Sequence, residues 1–360
     1  MFIYIIIFLI TIFLSIFETN ISYLTIGGRK VVTSKISFAI IFSSLLLLGV
    51  CRNEYLGADT LNYKIYYWDV FKNIDFVSAI QRDSDFGYGL INWIIAKFTN
   101  DYWVFRSIVF VLTFSIISVW IYKYSKNIAL SFLCFIAFGI LSFDFTILRQ
   151  ALAVSITAWS FDFLINRKPV KFILIVLFAA CFHKTALIML LIYPLLDKKI
   201  EKSRFVIKAV YYLVAISVAA IGGQIITRIY QRQDYSEYVV RGKGYSLLVF
   251  LLMLIGILYF FANRKQPNFK IQSELELLNS IICFQIIATS FSLFTRILYY
   301  VTIYLCVTIP DIMEELDNKT KNTMLVIMLV LFSVLFYVTY HGSCLLYTSP
   351  SPRDTERSRM

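Results

Sequence analysis

The sequence predicts an all-α, polytopic integral membrane protein, and three observations carry that prediction. Of its 360 residues, 59% are hydrophobic and only 16% are charged, against about half and about a quarter in soluble globular chains. Mean hydropathy is +0.75. Apolar runs recur from Phe2 to Tyr340, divided by short connectors rich in Lys and Arg. A run of ~20 apolar residues is the length that crosses a bilayer as a helix. No stretch is long and polar enough for a soluble catalytic domain, so any chemistry belongs within or beside the membrane.

The runs, in order, begin near positions 2, 36, 103, 128, 146, 170, 184, 206, 246, 276, 295 and 323, which gives about twelve spans. The first lacks a basic flank and a small-residue cleavage site, so it reads as a retained span and not a removed signal. Runs 170–182 and 184–196 are short and meet at His183. They predict a tight helical hairpin or a pair of half-buried helices.

The apolar segment near 86–98 is also short and follows a long polar loop, so its path decides the side on which every later loop falls. Read as re-entrant or interfacial, it sends the basic clusters at 29–35, 123–126, 167–171, 198–208, 264–270 and 319–321 to one side. That is the positive-inside pattern, with the N-terminus outside. The remaining basic residues mix with most of the acids on the other side, in longer loops such as 52–85 and 228–245. The net charge of +12 is therefore a topology signal, and nucleic acid is not an expected partner.

Residues 344–360 stand apart. Cys344-Leu-Leu-Tyr-Thr-Ser-Pro-Ser-Pro-Arg-Asp354 and the residues after it resemble translated sequencing-adapter sequence. The expectation is a single membrane-embedded domain over 1–343 and a non-native tail. That tail holds one cysteine, three arginines and two acids, so without it six cysteines become five and +12 becomes +11. The even cysteine count then carries no disulfide framework.

Charged groups beside hydrocarbon are costly and usually have a functional or pairing reason. Arg149, His183 and Arg296 each sit at the edge of an apolar run, and the topology places all three outside with Arg52, Asp59 and Asp85. Arginine offers phosphate a planar, bidentate fork. Asp59 or Asp85 could orient a sugar hydroxyl or accept its proton. A solvated loop with an aromatic belt is the blander account of this stretch. Arg149-Gln150 opens a run rich in Ala151, Ala153 and Ser155, small residues that let membrane helices pack closely; an arginine at a helix end also snorkels to the interface.

Histidine is the side chain suited to proton transfer near neutral pH, so His183 could move a proton or donate to a phosphate. A lone histidine is more often a packing residue. Tyr299 and Tyr300 beside Arg296 could anchor the interface or stack on a sugar. No second histidine has metal-ligand spacing to His183, and no nucleotide loop, Ser-His-Asp order or CxxC is present, so no metal or cofactor is expected.

The order of these motifs resembles the EpsG-type family of exopolysaccharide polymerases, relatives of the Wzy O-antigen and capsule polymerases. The matching residues are Arg52 with Gly57-Ala58-Asp59 and Tyr63, then Asp85-Phe-Gly-Tyr88, then Leu148-Arg149-Gln150-Ala151-Leu-Ala153. Phe182-His183-Lys184-Thr185-Ala186-Leu187-Ile188 follows, and Arg296 with Tyr299, Tyr300 and Pro310 closes the series. Ala58 stands where a hydroxyl-bearing residue is usual, Asp85 where glutamate is commoner, and Thr185 where serine is.

The resemblance implies a membrane glycosyltransferase joining undecaprenyl-diphosphate-linked repeat units at the outer face of the bacterial cytoplasmic membrane. Donor and acceptor would be lipid-linked oligosaccharides, and other polysaccharide-assembly proteins possible partners. It implies Arg149, Arg296 and His183 as catalytic, with Asp85. Arg52, Asp59, Tyr63, Tyr88, Gln150, Tyr299 and Tyr300 would bind substrate. A flippase for lipid-linked oligosaccharide and an acyltransferase decorating the polymer are the alternatives.

Overall fold

The computed structural model describes residues 2–26, 29–52, 59–73, 75–77, 85–196, 209–220, 245–262, 269–289 and 292–347. Gly57 and Ala58, the basic cluster at 198–208, nearly all of the loop at 228–245 and the tail from 348 lie outside them. The described residues are helical except for one hairpin, in which Tyr23–Ile26 (β1) pairs antiparallel with Arg29–Val32 (β2). An all-α reading missed this hairpin. Its sequence favours extended backbone, since Thr25, Ile26, Val31 and Val32 are β-branched.

Six helices are long and apolar enough to span a membrane, or seven counting one bent pair, among the described residues. The twelve expected spans are not confirmed among the described residues. Run 128 is broken into Ile128–Ala137 and Ile140–Thr146, bent by 58°, where Gly139 takes φ 72°, a conformation that favours glycine. Run 146 yields Leu148–Ala158 and the short Phe161–Ile165, run 170 only Pro169–Ala180, and run 184 becomes two 3-10 segments, Lys184–Leu191 and Tyr193–Leu196. The expected hairpin at His183 is thus one short α-helix and a tighter helix joined by a turn. Helix Phe86–Ala96 has 11 residues; at ~1.5 Å per residue it reaches ~16 Å, about half the hydrocarbon thickness. A helix of that length is too short to cross the hydrocarbon by itself.

The chain forms two compact units: residues 1–155, 181–183 and 321–360, and residues 156–180 and 184–320. In the first, Phe2–Asn20 (α1) packs on Ile128–Ala137 and stacks Phe8 on Phe336 at 4.0 Å. A helix start buried in a membrane protein needs partners for its N–H groups. Glu18 of α1 supplies them, accepting from Ile128 N–H at 2.8 Å and Ala129 N–H at 3.1 Å, while Asn127 Oδ1 accepts from Leu130 N–H. At the end of Thr33–Val50 (α2), buried Arg106 Nη2 donates to the carbonyls of Val50 (3.1 Å) and Arg52 (2.8 Å), placing a cation where the helix dipole is negative.

Helix Thr60–Asn73 (α3) buries Tyr63, Tyr67 and Val70, one face at helical spacing, against Tyr88, Tyr102 and Phe105. Tyr67 also donates to Thr99 O at 2.6 Å.

In the second unit, Tyr304 stacks on Phe161 and bonds Ser160 Oγ and Thr157 O, each at 3.1 Å. Lys270 pairs with Asp311 and, at 3.5 Å, with the buried Glu274, tying Phe269–Ala288 to Leu305–Glu314.

Candidate active site

Asp85 immediately precedes helix Phe86–Ala96 (α4). Aspartate at that position usually folds its carboxylate back onto the first turn. Here the side chain makes no such bond, and the main-chain carbonyl alone takes the N–H groups of Tyr88 and Gly89, both at 3.1 Å. The carboxylate, only 2% exposed, turns instead to His183. His183 Nδ1 lies 2.9 Å from Asp85 Oδ2, and Arg149 Nη1 lies 3.6 Å from the same oxygen. The acid is closed off, whereas His183 and Arg149 keep 24% and 34% of their side chains open.

Two aromatic faces complete the setting. The Arg149 guanidinium carbon is 5.7 Å from the Tyr63 ring centre and 5.8 Å from that of Tyr88, within the range of cation–π attraction. Tyr63 and Tyr88 meet edge to face at 5.9 Å, and Tyr66 stacks on Tyr88 at 6.3 Å. Burial pushes the Tyr63 phenol above its ordinary value, partly offset by the positive charge of Arg149. It is a neutral hydroxyl at physiological pH. Arg149 and Gln150 lie in the first turn of Leu148–Ala158, where main-chain N–H groups and the helix dipole favour an anion.

Of the residues expected from sequence, Tyr63, Asp85, Tyr88, Arg149 and His183 are thus brought together in the first unit. Asp59 starts α3, its carbonyl accepting from Tyr63 N–H at 3.1 Å. Arg52 is buried with its guanidinium 4.5 Å over the Phe145 ring, and Gln150 is buried. Arg296, Tyr299 and Tyr300 belong to the second unit, on helix Ser292–Thr302. There Arg296 and Tyr299 are partly exposed and the Tyr300 hydroxyl lies 3.1 Å from Thr185 Oγ1.

Sequence reasoning gave no role to Gly87 and Phe182, although both lie in the matching motifs, and it passed over Tyr66, Arg106 and Asp144. The Gly87 N–H donates to Cys181 O at 2.6 Å, and a Cβ at 87 would lie 2.9 Å from the Phe182 ring. The Asp-Phe-Gly string held that signal, since a glycine beside an acid marks a close backbone approach as readily as a turn. Asp144, in Ile140–Thr146, is buried with neither oxygen hydrogen-bonded among the described residues.

Fold and site together define a helical, multi-pass membrane protein with a buried carboxylate that gathers an imidazole and a guanidinium. The EpsG family model matches residues 35–349, and the chain belongs to that family; the last of those residues fall within the segment read as adapter-derived. No curated protein and no solved structure matches the chain.

Proposed function

We propose that this chain is a glycosyltransferase that polymerises undecaprenyl-diphosphate-linked oligosaccharides into an exopolysaccharide at the outer face of the cytoplasmic membrane. The observation that carries the reading is the shared Asp85 oxygen, which sets a proton-moving group and an anion-binding group side by side. Transfer of a sugar from a diphosphate requires that pair. The acceptor hydroxyl gives up its proton as its oxygen bonds the anomeric carbon. The bond from that carbon to the diphosphate oxygen breaks, and its electron pair leaves with the diphosphate.

Arg149, at a helix N-terminus, meets the charge that builds on the leaving group, and Arg296 is assigned the same role from its motif. Removing one such preorganised donor typically costs ~10²–10³-fold in turnover. His183 takes the hydroxyl proton or grips the diphosphate. Arg52, Asp59, Gln150, Tyr63, Tyr88, Tyr299 and Tyr300 bind saccharide or diphosphate. Chemical energy resides in the donor's diphosphate bond.

The test is single replacement of His183, Arg149 and Arg296 by Ala, followed by polymer-length profiling of producing cells. Loss of long polymer with lipid-linked single repeat units accumulating outside the membrane is expected. Accumulation inside would replace this reading with a flippase, and normal polymer lacking a decoration would replace it with an acyltransferase.

A further inference from the structure

We infer that Asp85 is a positioning residue: it fixes His183 in the tautomer protonated at Nδ1 and thereby presents Nε2 as the atom that accepts the acceptor hydroxyl's proton. The identity of that hydroxyl rests on the polymerase reading; the tautomer does not.

The argument begins with what each atom can do. A carboxylate beside a guanidinium is favoured in its ionised form, and an ionised carboxylate only accepts hydrogen bonds. A 2.9 Å contact between Asp85 Oδ2 and His183 Nδ1 therefore places the proton on Nδ1. Neutral imidazole has one N–H, so Nε2 holds the lone pair. A nitrogen with a lone pair cannot donate to a diphosphate oxygen. Of the two roles open to His183, the ground-state geometry selects the base.

Main-chain geometry enforces the pairing. Gly87 N–H donates to Cys181 O, and the Asp85–His183 contact lies two residues out from it on each segment, in opposite chain directions. Residues 85–87 and 181–183 therefore run antiparallel in a fixed register. The absence of a side chain at 87 permits this approach, because a Cβ there would be 3.0 Å from Cys181 O as well as 2.9 Å from the Phe182 ring. Asp85 also gives up its local capping bond, as expected of a carboxylate retained for its distant partner. Arg149 on the same oxygen holds the carboxylate from the other side.

The chain contains two histidines, His183 and His341, so His341→Gln leaves a single imidazole. The full chain carrying this change, labelled with ¹⁵N-histidine and placed in lipid nanodiscs, should show the Nδ1–H tautomer once the pH is raised until the imidazole is neutral. Asp85→Asn, nearly isosteric, should invert it: Arg149 takes the amide oxygen, the NH₂ turns to Nδ1, and the proton moves to Nε2. Asp85→Ala should also abolish the Nδ1–H preference. In a polymerisation assay Asp85→Asn should lower turnover by ~10²–10⁴-fold, the usual worth of a general base, with the donor KM unchanged.

An Nε2–H signal in the parent protein would overturn the inference, as would an unchanged tautomer in both Asp85 variants. Wild-type turnover in Asp85→Asn, with His183→Ala inactive, would overturn it as well. If the tautomer behaves as stated but no variant alters polymer length, the polymerase reading fails and the Asp85–His183 assignment stands.

Discussion

Replacing Gly87 with alanine separates two effects that usually travel together. Gly87 lies in α4, and within a helix alanine is favoured over glycine by up to ~1 kcal/mol. The added methyl would sit 2.9 Å from two Phe182 ring atoms and 3.0 Å from Cys181 O. The carbonyl is main chain and cannot rotate away, so the segments must part by several tenths of an ångström. Overpacking of this kind costs ~1–3 kcal/mol, which outweighs the helical gain. The same displacement stretches the 2.9 Å Asp85–His183 bond, and misplacement approaching 1 Å at a reacting group lowers turnover ~10²-fold.

Gly256 is the matched control. It also lies inside a helix, Tyr245–Ala262, and a Cβ there meets nothing within 4 Å, so Gly256→Ala should leave stability unchanged or raise it by up to ~1 kcal/mol. Thermal unfolding in one detergent and polymer length in cells measure both variants. Adding Phe182→Ala to Gly87→Ala should restore part of the loss, a coupling a double-mutant cycle resolves. Equal thermal midpoints and equal polymer for Gly87→Ala and Gly256→Ala would refute the close-approach argument.

Other perturbations follow from the same contacts. Glu18→Ala strips two N–H groups of helix Ile128–Ala137 of their partner and should cost ~1–2 kcal/mol, read as a lower thermal midpoint; an unchanged midpoint refutes the cap. Arg106→Ala leaves the carbonyls of Val50 and Arg52 without this donor and should cost ~1.5–3 kcal/mol, with Arg106→Lys recovering only part by the same measurement.

Burial, with the nearby negative charge of Asp101, pushes the Tyr67 phenol up to about 12. Because the folded value is raised, this contribution to stability is complete below pH 10 and is lost as pH climbs from 10 towards 12. Tyr67→Phe should flatten that alkaline slope in a pH series of unfolding curves. Inorganic pyrophosphate should raise the thermal midpoint of the wild type, since a ligand at 100 times its Kd stabilises by ~2.7 kcal/mol. Arg149→Ala should abolish the shift, and an equal shift in that variant would remove Arg149 from the anion site.

The residue types of the site were legible in the sequence because a charge at the edge of an apolar run is expensive wherever it occurs. Arg149, His183 and Arg296 were found on that ground, and Asp85 as an acid of the long polar loop placed on the same side. Their pairing was not legible: 98 residues separate Asp85 from His183, and the contact depends on Gly87, whose contribution is the absence of a side chain. The broken runs escaped for a related reason. Hydropathy counts apolar residues, but Gly139 in its left-handed conformation and the 3-10 winding at Lys184–Leu191 are decided by backbone geometry and tertiary packing. Arg106 was overlooked because it lies inside a run and not at its edge, and its partners are main-chain carbonyls that no residue pattern announces.

The charges at the site explain why an acid belongs in a pocket read as a receptor for anions. Arg149 lies in the first turn of its helix, where the dipole contributes roughly half a positive charge and disfavours a cation. Left alone, that arrangement repels itself. Asp85 removes the repulsion, but through an ion pair at 3.6 Å, longer than a tight charge-assisted hydrogen bond, and it satisfies His183 more closely with the same oxygen. Arg149 is thus held in place while remaining one-third open to a second anion. A tighter Asp85–Arg149 pair would compete with an incoming diphosphate, and no pair would leave the repulsion at the helix start unopposed and the imidazole without its carboxylate. The unequal sharing of one carboxylate oxygen serves both groups at once.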